Sequence, residues 1–219
     1  GSTDKTLKIA EAHKINIVKI DKKEFSFGRS LNLGCKFANG KILVFISGHC
    51  VPLNDNWLIN LCDPLIKNKA EYVYGRQVAG KKTKFSEHVH FSKFFPEQII
   101  INRELNVDHQ SDFVDHHSEF FCNNANAALL KETWERFKFD ENIVALEDMM
   151  LAKKIKDNNG TILYVPNSEV IHHHNENFLK IKNRYEREGL ALNLIINQIN
   201  FSFVDFLKLF FLNITFDFK

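Results

Sequence analysis

Short apolar runs alternate with amphipathic stretches along most of the chain. The run Ile42–Ile46 is rich in β-branched residues and stops abruptly at Ser47, Gly48 and His49. This pattern predicts a strand that is buried on both faces. Ligands in open α/β sheets bind beyond the carboxyl ends of the strands. Ser47 and His49 are therefore candidate site residues, and an ordinary turn after a buried strand is the alternative interpretation.

The remaining elements follow from the period of the apolar positions. Strand patterns, short and apolar, cover residues 15–20, 71–74, 161–165 and 169–174. Helix patterns cover residues 7–14, 31–38, 56–67, 127–135, 146–156 and 177–200. This alternation predicts an α/β fold with a mostly parallel sheet, helices on both faces and a small antiparallel element. The strand at residues 15–20 has an unpaired edge in this arrangement, which predicts self-association into a homo-oligomer.

Composition narrows the class of protein. The 219 residues suit one domain, 44% of them are hydrophobic, and the net charge of +2 gives no reason to expect a nucleic-acid partner. The four cysteines form no C-x-x-C pair, which argues against a zinc site and favours a cytosolic chain with reduced thiols. The polar N-terminal residues give no reason to expect a signal peptide, and no apolar run reaches the about 20 residues that a membrane span needs.

The C-terminal residues 201–218 alternate aromatic and aliphatic side chains and carry few charges. Such a segment is typical of an amphipathic helix at a membrane interface. A helix that docks on the body of the protein, or on a neighbouring subunit, explains the pattern equally well. Both interpretations stay open at this point.

Polar clusters recur where the predicted elements begin or end. They are Ser47–His49, Gly75–Gln77, Glu147–Asp148 and His172–His174. Taken singly, each has an ordinary structural explanation, because acidic residues stabilise helix N-termini and adjacent histidines are common on surfaces. Their repeated position at element ends predicts one shared site. The strand period places His172 and His174 on one face and His173 on the other.

Several collinear segments resemble family 2 glycosyltransferases of the GT-A fold, and among them rhamnosyltransferase-like members of bacterial surface-polysaccharide pathways. The likeness covers roughly residues 1–195. The segments that carry it are GSTDKT at residues 1–6, the helix at 27–40, VFISGHCVP at 44–52, YGRQ at 74–77, FCNNANAAL at 121–129, ALEDMMLAKKI at 145–155 and YVPNSEVIHHH at 164–174. The resemblance implies a nucleotide-diphospho-sugar transferase domain at residues 1–177, without the family's first strand, followed by a helical segment at 178–219.

The resemblance also implies a metal site. Ser47 and His49 stand where the family has its D-x-D aspartates, so His49 is expected to hold a cation together with His172, with His174 as the second choice. The cation is Mn²⁺ or Mg²⁺. Imidazole ligands favour Mn²⁺, because a neutral nitrogen compensates a hard dication less well than a carboxylate does.

The reaction that the resemblance implies is an inverting transfer from a nucleotide-diphosphate sugar to a hydroxyl of a growing surface polysaccharide or related glycan. The acceptor partner is expected to be a glycan or a lipid-linked molecule. Asp148 is the expected general base and Glu147 orients the site. Arg76 suits diphosphate or acceptor oxygens. Ser47, Gln77 and Asn124 are further candidates for donor or acceptor contacts. The expected location is the cytoplasm, at the inner face of the cell membrane. A peripheral contact with that membrane is also expected.

A second class of function is also consistent with the sequence. The aspartate that precedes the family's GSTD segment is absent, so the domain could be catalytically incomplete and serve as a membrane-peripheral interaction module. Metal and nucleotide binding discriminate between the two. A histidine-rich metal-binding protein is disfavoured, because the histidines lack the spacing with cysteines that zinc sites use.

Overall fold

The computed structural model describes residues 4–81, 83–97, 120–173, 176–196, 202–205, 207–208 and 210–211. His174, residues 98–119 and most of the C-terminal segment therefore lie outside the described residues. The helices are α1 (Thr6–Ala12), α2 (Phe27–Phe37), α3 (Trp57–Ile66), α4 (Phe85–Phe94), α5 (Lys131–Phe137), α6 (Glu147–Asp157) and α7 (Phe178–Ile196). The strands are β1 (Ile42–Ile46), β2 (Cys50–Pro52), β3 (Tyr72–Ala79), β4 (Asn126–Leu130) and β5 (Ile162–His172).

The five strands form one mixed sheet in the order β1-β4-β3-β5-β2. Strand β4 lies antiparallel between β1 and β3, and β2 pairs antiparallel with β5. Strands β1, β3 and β5 consequently run in one direction, but β3–β5 is the one parallel pairing among the described strands. The predicted α/β fold is confirmed. We expected a mostly parallel sheet with a small antiparallel element, and the sheet has more antiparallel pairing than that.

Helices cover both faces of this sheet. Successive side chains along a strand point to opposite faces of the sheet. The neighbours Tyr72 and Val73 accordingly belong to different buried clusters. Tyr72 lies with Trp134 and Leu151 from α5 and α6. Val73 lies with Leu61 from α3 and its neighbours. The sheet is thus the middle layer of three, as burial of both its faces requires.

Helix α7 packs against the start of α6. Its side chains Ala191 and Ile195 are buried with Ile143, Ala145 and Met149. Within the described ranges, no helix combines the length and the apolar character that crossing a bilayer requires. The proposed boundary between residues 177 and 178 stays a prediction.

The segment that was predicted as a helix at residues 127–135 is instead a strand followed by a helix. Ala127 and Ala128 are fully buried in β4, and α5 begins only at Lys131. Alanine has the highest helix propensity, but propensity is a weak preference that tertiary pairing overrides. Here β4 completes the ladders of both β1 and β3.

The predicted strand at residues 15–20 is also wrong. The segment is irregular, it pairs with no strand in the described part of the chain, and Ile15 is 58% exposed. A strand needs a partner for its backbone N–H and C=O groups, and an apolar pattern alone does not supply one. The self-association prediction therefore loses its structural basis.

Helix α2 begins four residues earlier than the sequence suggested. Ser26 is the N-cap, and its side chain accepts a hydrogen bond from the Arg29 backbone amide at 3.2 Å. Ser30 lies inside the helix and donates its hydroxyl to the Ser26 carbonyl. Residues 27–30, which the apolar period left outside the predicted helix, are therefore helical.

A break in register divides β5 and sets the geometry of the site. Gly75 pairs with Val165 and the next residue, Arg76, pairs with Glu169, so residues 166–168 are skipped. The buried Asn126 amide spans this break by donating to the carbonyls of Ser168 at 2.8 Å and Arg76 at 3.2 Å. The two strands predicted at 161–165 and 169–174 are one strand with this irregularity. The break brings the second half of β5, including His172, alongside Gln77 and its neighbours in β3.

Candidate functional site

The predicted site residues lie toward the carboxyl ends of β1, β3 and β5. The strand that was predicted at residues 71–74 continues to Ala79, so Arg76 and Gln77 lie within β3, and His172 is the last residue of β5. After β1 the chain turns, because the Cys50 amide donates to the Ser47 carbonyl at 2.9 Å. The Ser47 amide itself donates to the Ala125 carbonyl at 3.2 Å, next to the start of β4. This turn places His49 beside the end of β5, where the His49 carbonyl accepts from the His173 amide at 3.1 Å.

His49 and His172 converge. Their Nε2 atoms are 2.8 Å apart, and their ring planes are tilted by 33°. His172 is 7% exposed, whereas His49 is exposed at the turn. His173 is exposed, and its ring lies against Gly80, where any added Cβ would collide with it. The pair thus offers two nitrogens at one place, and His173 is directed elsewhere.

This pair fits a divalent cation as a partial ligand set. Two imidazole nitrogens bound about 2.1 Å from one ion at a right angle are about 3 Å apart, close to the observed separation. Within the part of the chain that the structure describes, no group of three or more His, Cys, Asp or Glu side chains is arranged to hold a metal. His49 and His172 alone would have to be completed by ligands such as diphosphate oxygens or water.

Gln77 lies behind His172 and is 2% exposed. Its Oε1 atom is 2.7 Å from His172 Nδ1, and its Nε2 atom donates to Asn123 Oδ1 at 2.9 Å. Both ends of the amide are therefore engaged within the protein. These contacts make Gln77 a support for His172, and the donor or acceptor contact that the resemblance implies for Gln77 stays a prediction.

Arg76 is paired with carboxylates. Its Nη1 atom donates to Glu169 at 2.5 Å and its Nη2 atom donates to Glu97 at 3.0 Å. The side chain is only 20% exposed. Its Nε atom is buried and has no hydrogen-bond partner among the described residues. The guanidinium is thus already paired with two carboxylates, and diphosphate binding at Arg76 stays a prediction.

Glu147 and Asp148 occupy the first turn of α6. The preceding Leu146 has a left-handed backbone with a φ of 57°, which turns the chain sharply into the helix. Each acid is 8% exposed. Asp148 accepts two backbone hydrogen bonds, one from Asn124 at 2.9 Å on Oδ2 and one from Met149 at 2.8 Å on Oδ1.

Burial changes the acidity of both groups. Desolvation, together with the nearby Asp148 charge, raises the pKa of Glu147 to about 8. Desolvation also raises the pKa of Asp148, against the two backbone hydrogen bonds that favour its ionised form. Raised carboxyl pKa values bring proton acceptance closer to neutral pH, which is what a general base needs.

Asn123 and Asn124 join the two halves of the site. The Asn123 side chain accepts a hydrogen bond from Gln77, and the backbone N–H of the next residue, Asn124, donates to Asp148. The Asn124 side chain accepts from the Tyr72 hydroxyl at 2.5 Å, and its Nδ2 atom is buried without a hydrogen-bond partner among the described residues. Asn123 was not among the residues predicted from the sequence, although its place in the polar run between Cys122 and Ala127 was the signal that could have indicated it.

Comparison with known proteins gives a consistent result. A sequence model of the family described as Glycosyl transferase family 2 matches residues 1–133. The chain is 27% identical over 183 residues to the O-antigen chain rhamnosyltransferase RfbN of Salmonella typhimurium, which covers 80% of this chain and 55% of that protein. The chain therefore spans about half the length of that curated relative.

Solved structures show the same fold at low sequence identity. Glucosyl-3-phosphoglycerate synthase from Mycobacterium tuberculosis, in complex with Mn²⁺, UDP-glucose and phosphoglyceric acid, has a TM-score of 0.58 and 16% identity, over 91% of this chain and 67% of that one. TarS of S. aureus has a TM-score of 0.55 and 15% identity, over 92% of this chain and 55% of that one. Because the family model matches more than half of the 219 residues, this chain belongs to glycosyl transferase family 2.

Proposed function

We propose that the protein is an inverting glycosyltransferase that moves a sugar from a nucleotide-diphosphate donor to a hydroxyl of a surface polysaccharide or related glycan. One observation carries this proposal. The adjacent residues Asn123 and Asn124 contact Gln77, which supports the histidine pair, and Asp148, which is the candidate base. A cation site and a buried carboxylate therefore share one short segment at the carboxyl ends of the parallel strands, where ligands bind in such folds.

Asp148 has the surroundings that a general base requires. Its carboxylate is held by two backbone amides, so its orientation is set before substrate arrives. In the proposed step, the acceptor hydroxyl oxygen bonds to the anomeric carbon and its proton passes to Asp148. The bond from that carbon to the diphosphate breaks, and its electron pair leaves with the diphosphate. Attack from the side opposite the leaving group inverts the anomeric centre. Glu147, beside Asp148, helps to orient the acceptor.

His49 and His172 would hold the divalent cation. A cation bound there supplies positive charge against the negative charge that develops on the leaving diphosphate. Two nitrogen ligands support Mn²⁺ over Mg²⁺, because Mg²⁺ prefers an all-oxygen octahedron. The structurally similar synthase from M. tuberculosis was crystallised with Mn²⁺ and UDP-glucose, which supports the same choice here.

We base the proposed donor and the proposed acceptor on the relatives of this chain. The similarity to an O-antigen chain rhamnosyltransferase supports a deoxyhexose or hexose donor and a growing glycan acceptor. We place the protein in the cytoplasm at the inner face of the membrane. The exposed apolar side chains Phe203, Val204 and Phe211 near the C-terminus support a peripheral contact.

The experiment is donor turnover by the natural full-length protein. Purified protein is incubated with Mn²⁺ and a panel of nucleotide-diphosphate sugars, with and without acceptor glycan, and release of the nucleoside diphosphate is measured. Acceptor-stimulated release from one donor is the expected result. Binding of nucleotide without turnover for any donor and acceptor pair would overturn the proposal and favour the alternative, a catalytically incomplete interaction module.

A further inference from the structure

We infer that Gln77, oriented by Asn123, is a positioning residue that holds His172 in the tautomer with its hydrogen on Nδ1. The Nε2 lone pair of His172 is then directed to the place that it shares with His49. The inference deepens the proposed function, on which it rests for the cation at the histidine pair. The tautomer itself follows from a chain of hydrogen bonds whose directions are forced one after another.

The chain starts at a backbone amide, which can only donate. The Ala125 N–H donates to the side chain of Asn123 at 3.0 Å, so the Asn123 atom that faces it must be the oxygen. The reversed amide would set an NH₂ group against this N–H. The oxygen and the nitrogen of a side-chain amide have nearly the same shape, so they are assigned from their hydrogen-bond partners. The orientation of the Asn123 amide is therefore determined by its neighbour.

The second step fixes Gln77. The same Asn123 oxygen is 2.9 Å from the Gln77 amide nitrogen, which must donate to it. With its nitrogen committed to Asn123, Gln77 presents its oxygen to His172 Nδ1 at 2.7 Å. Because Gln77 is 2% exposed, competition from water for these groups is small.

The third step fixes His172. An amide oxygen only accepts, so Nδ1 of His172 must carry a hydrogen. In the neutral ring, Nε2 then has no hydrogen and offers a lone pair. That atom is 2.8 Å from Nε2 of His49. A neutral imidazole nitrogen with a lone pair is the form that binds a metal, and a partner on the other ring nitrogen raises its basicity.

The tautomer can be measured without metal or substrate. The full-length protein is labelled with ¹⁵N-histidine, and ring nitrogen shifts are recorded by NMR at a pH where His172 is neutral. The His172 signals are assigned as those missing from the His172→Ala spectrum. We expect the Nδ1–H tautomer in the natural protein. A predominant Nε2–H tautomer overturns the inference, and this result requires no variant of Gln77 to fold.

Two variants test whether this chain of hydrogen bonds sets the tautomer of His172. Gln77→Met removes the acceptor at similar size, and it should shift His172 toward the Nε2–H form that free histidine prefers. Asn123→Asp is the matched control, because a carboxylate still accepts from both Ala125 and Gln77 and should preserve the Nδ1–H form. An unchanged tautomer in folded Gln77→Met would overturn the role of Gln77.

Mn²⁺ affinity, measured by titration calorimetry, gives the second readout. Gln77→Met should weaken Mn²⁺ binding roughly 10- to 100-fold, the usual cost of losing a partner of a metal ligand. His173→Ala should leave it unchanged. Unaltered affinity in Gln77→Met overturns the inference. If the natural protein has the Nδ1–H tautomer but binds no Mn²⁺, the tautomer assignment stands and the cation in the proposed function fails.

Discussion

The carboxylate of Asp148 is held by the backbone amide of Asn124, which donates to its Oδ2 atom at 2.9 Å. The two residues are 24 positions apart, so the contact joins the start of α6 to the segment before β4. A second backbone donor, Met149, occupies the other oxygen at 2.8 Å. Each oxygen of the proposed base thus has a donor facing it.

This arrangement predicts two effects of Asp148→Asn. The asparagine amide cannot take the proton from the hydroxyl of the acceptor glycan, so turnover should fall at least about 100-fold. Its NH₂ group must also face one of the two backbone donors, which should cost roughly 1–3 kcal/mol of stability. Initial rates well below the melting temperature, together with thermal melts, measure the two separately. Turnover near that of the natural protein would remove Asp148 from the role of base.

A second prediction concerns stability and pH. The pKa of Glu147 is about 8 in the folded protein, against 4.5 as its ordinary value, so the folded state holds this proton more tightly than the unfolded state. The stabilisation from this group is complete below about pH 4.5 and is lost as the pH rises toward about 8. The raised pKa of Asp148 acts in the same direction. Melting temperature should therefore decline across this range.

Glu147→Gln tests the source of that decline. The neutral amide removes the titration, so the fall in melting temperature between about pH 5 and pH 8 should become shallower, and the variant should exceed the natural protein at the upper end. Melting curves in matched buffers at constant ionic strength provide the measurement. Parallel curves for the two proteins would show that Glu147 does not carry the effect.

A third prediction concerns the register break. A Cβ on Gly75 would lie 2.3 Å from both the Ser168 carbonyl oxygen and the Asn126 amide nitrogen. Gly75→Ala should therefore destabilise the protein by about 1–3 kcal/mol, as overpacking does. Urea unfolding measures the change.

Gly189→Ala is the control for that substitution. It lies within α7, and a Cβ there meets nothing within 4 Å. The same change should stabilise the protein by roughly 0.5–1 kcal/mol, because glycine is unfavourable in a helix interior. Similar effects of the two substitutions would argue against close packing at the register break.

The fourth prediction concerns metal dependence. Removal of divalent cations with a chelator should abolish turnover, and Mn²⁺ should restore it. His49→Ala and His172→Ala should lose the Mn²⁺-dependent rate, since each removes one of the two converging nitrogens. His173→Ala is the matched control and should respond to Mn²⁺ as the natural protein does. Full restoration by Mn²⁺ in His49→Ala would exclude this histidine as a ligand.

Much of the secondary structure could be predicted from the sequence alone. The strand Ile42–Ile46 and helices α3 and α6 lie within a residue or so of their predicted bounds. These elements have strong apolar periods and clear boundary residues, which are local properties of the chain. The family resemblance also came from the sequence, because its motifs occur in the family's order and the family match confirms it.

Local pattern failed where a partner strand decided the outcome. Residues 15–20 have the pattern of a strand but no strand beside them in the described structure, whereas Ala127 and Ala128 have the preference of a helix and lie between β1 and β3. Strand formation depends on hydrogen bonds to another segment, so a single segment does not contain the necessary information.

The sequence by itself determined which polar residues are candidates, since their types and their places at element ends are readable along the chain. Only the tertiary structure decided which of them meet. It brought His49 and His172 together across 123 positions, and it turned Gln77 toward His172 and Asn123. The physical reason is that the register break at Gly75 and the turn after β1 set these distances. Both depend on close packing and on hydrogen bonds between segments that are distant in sequence.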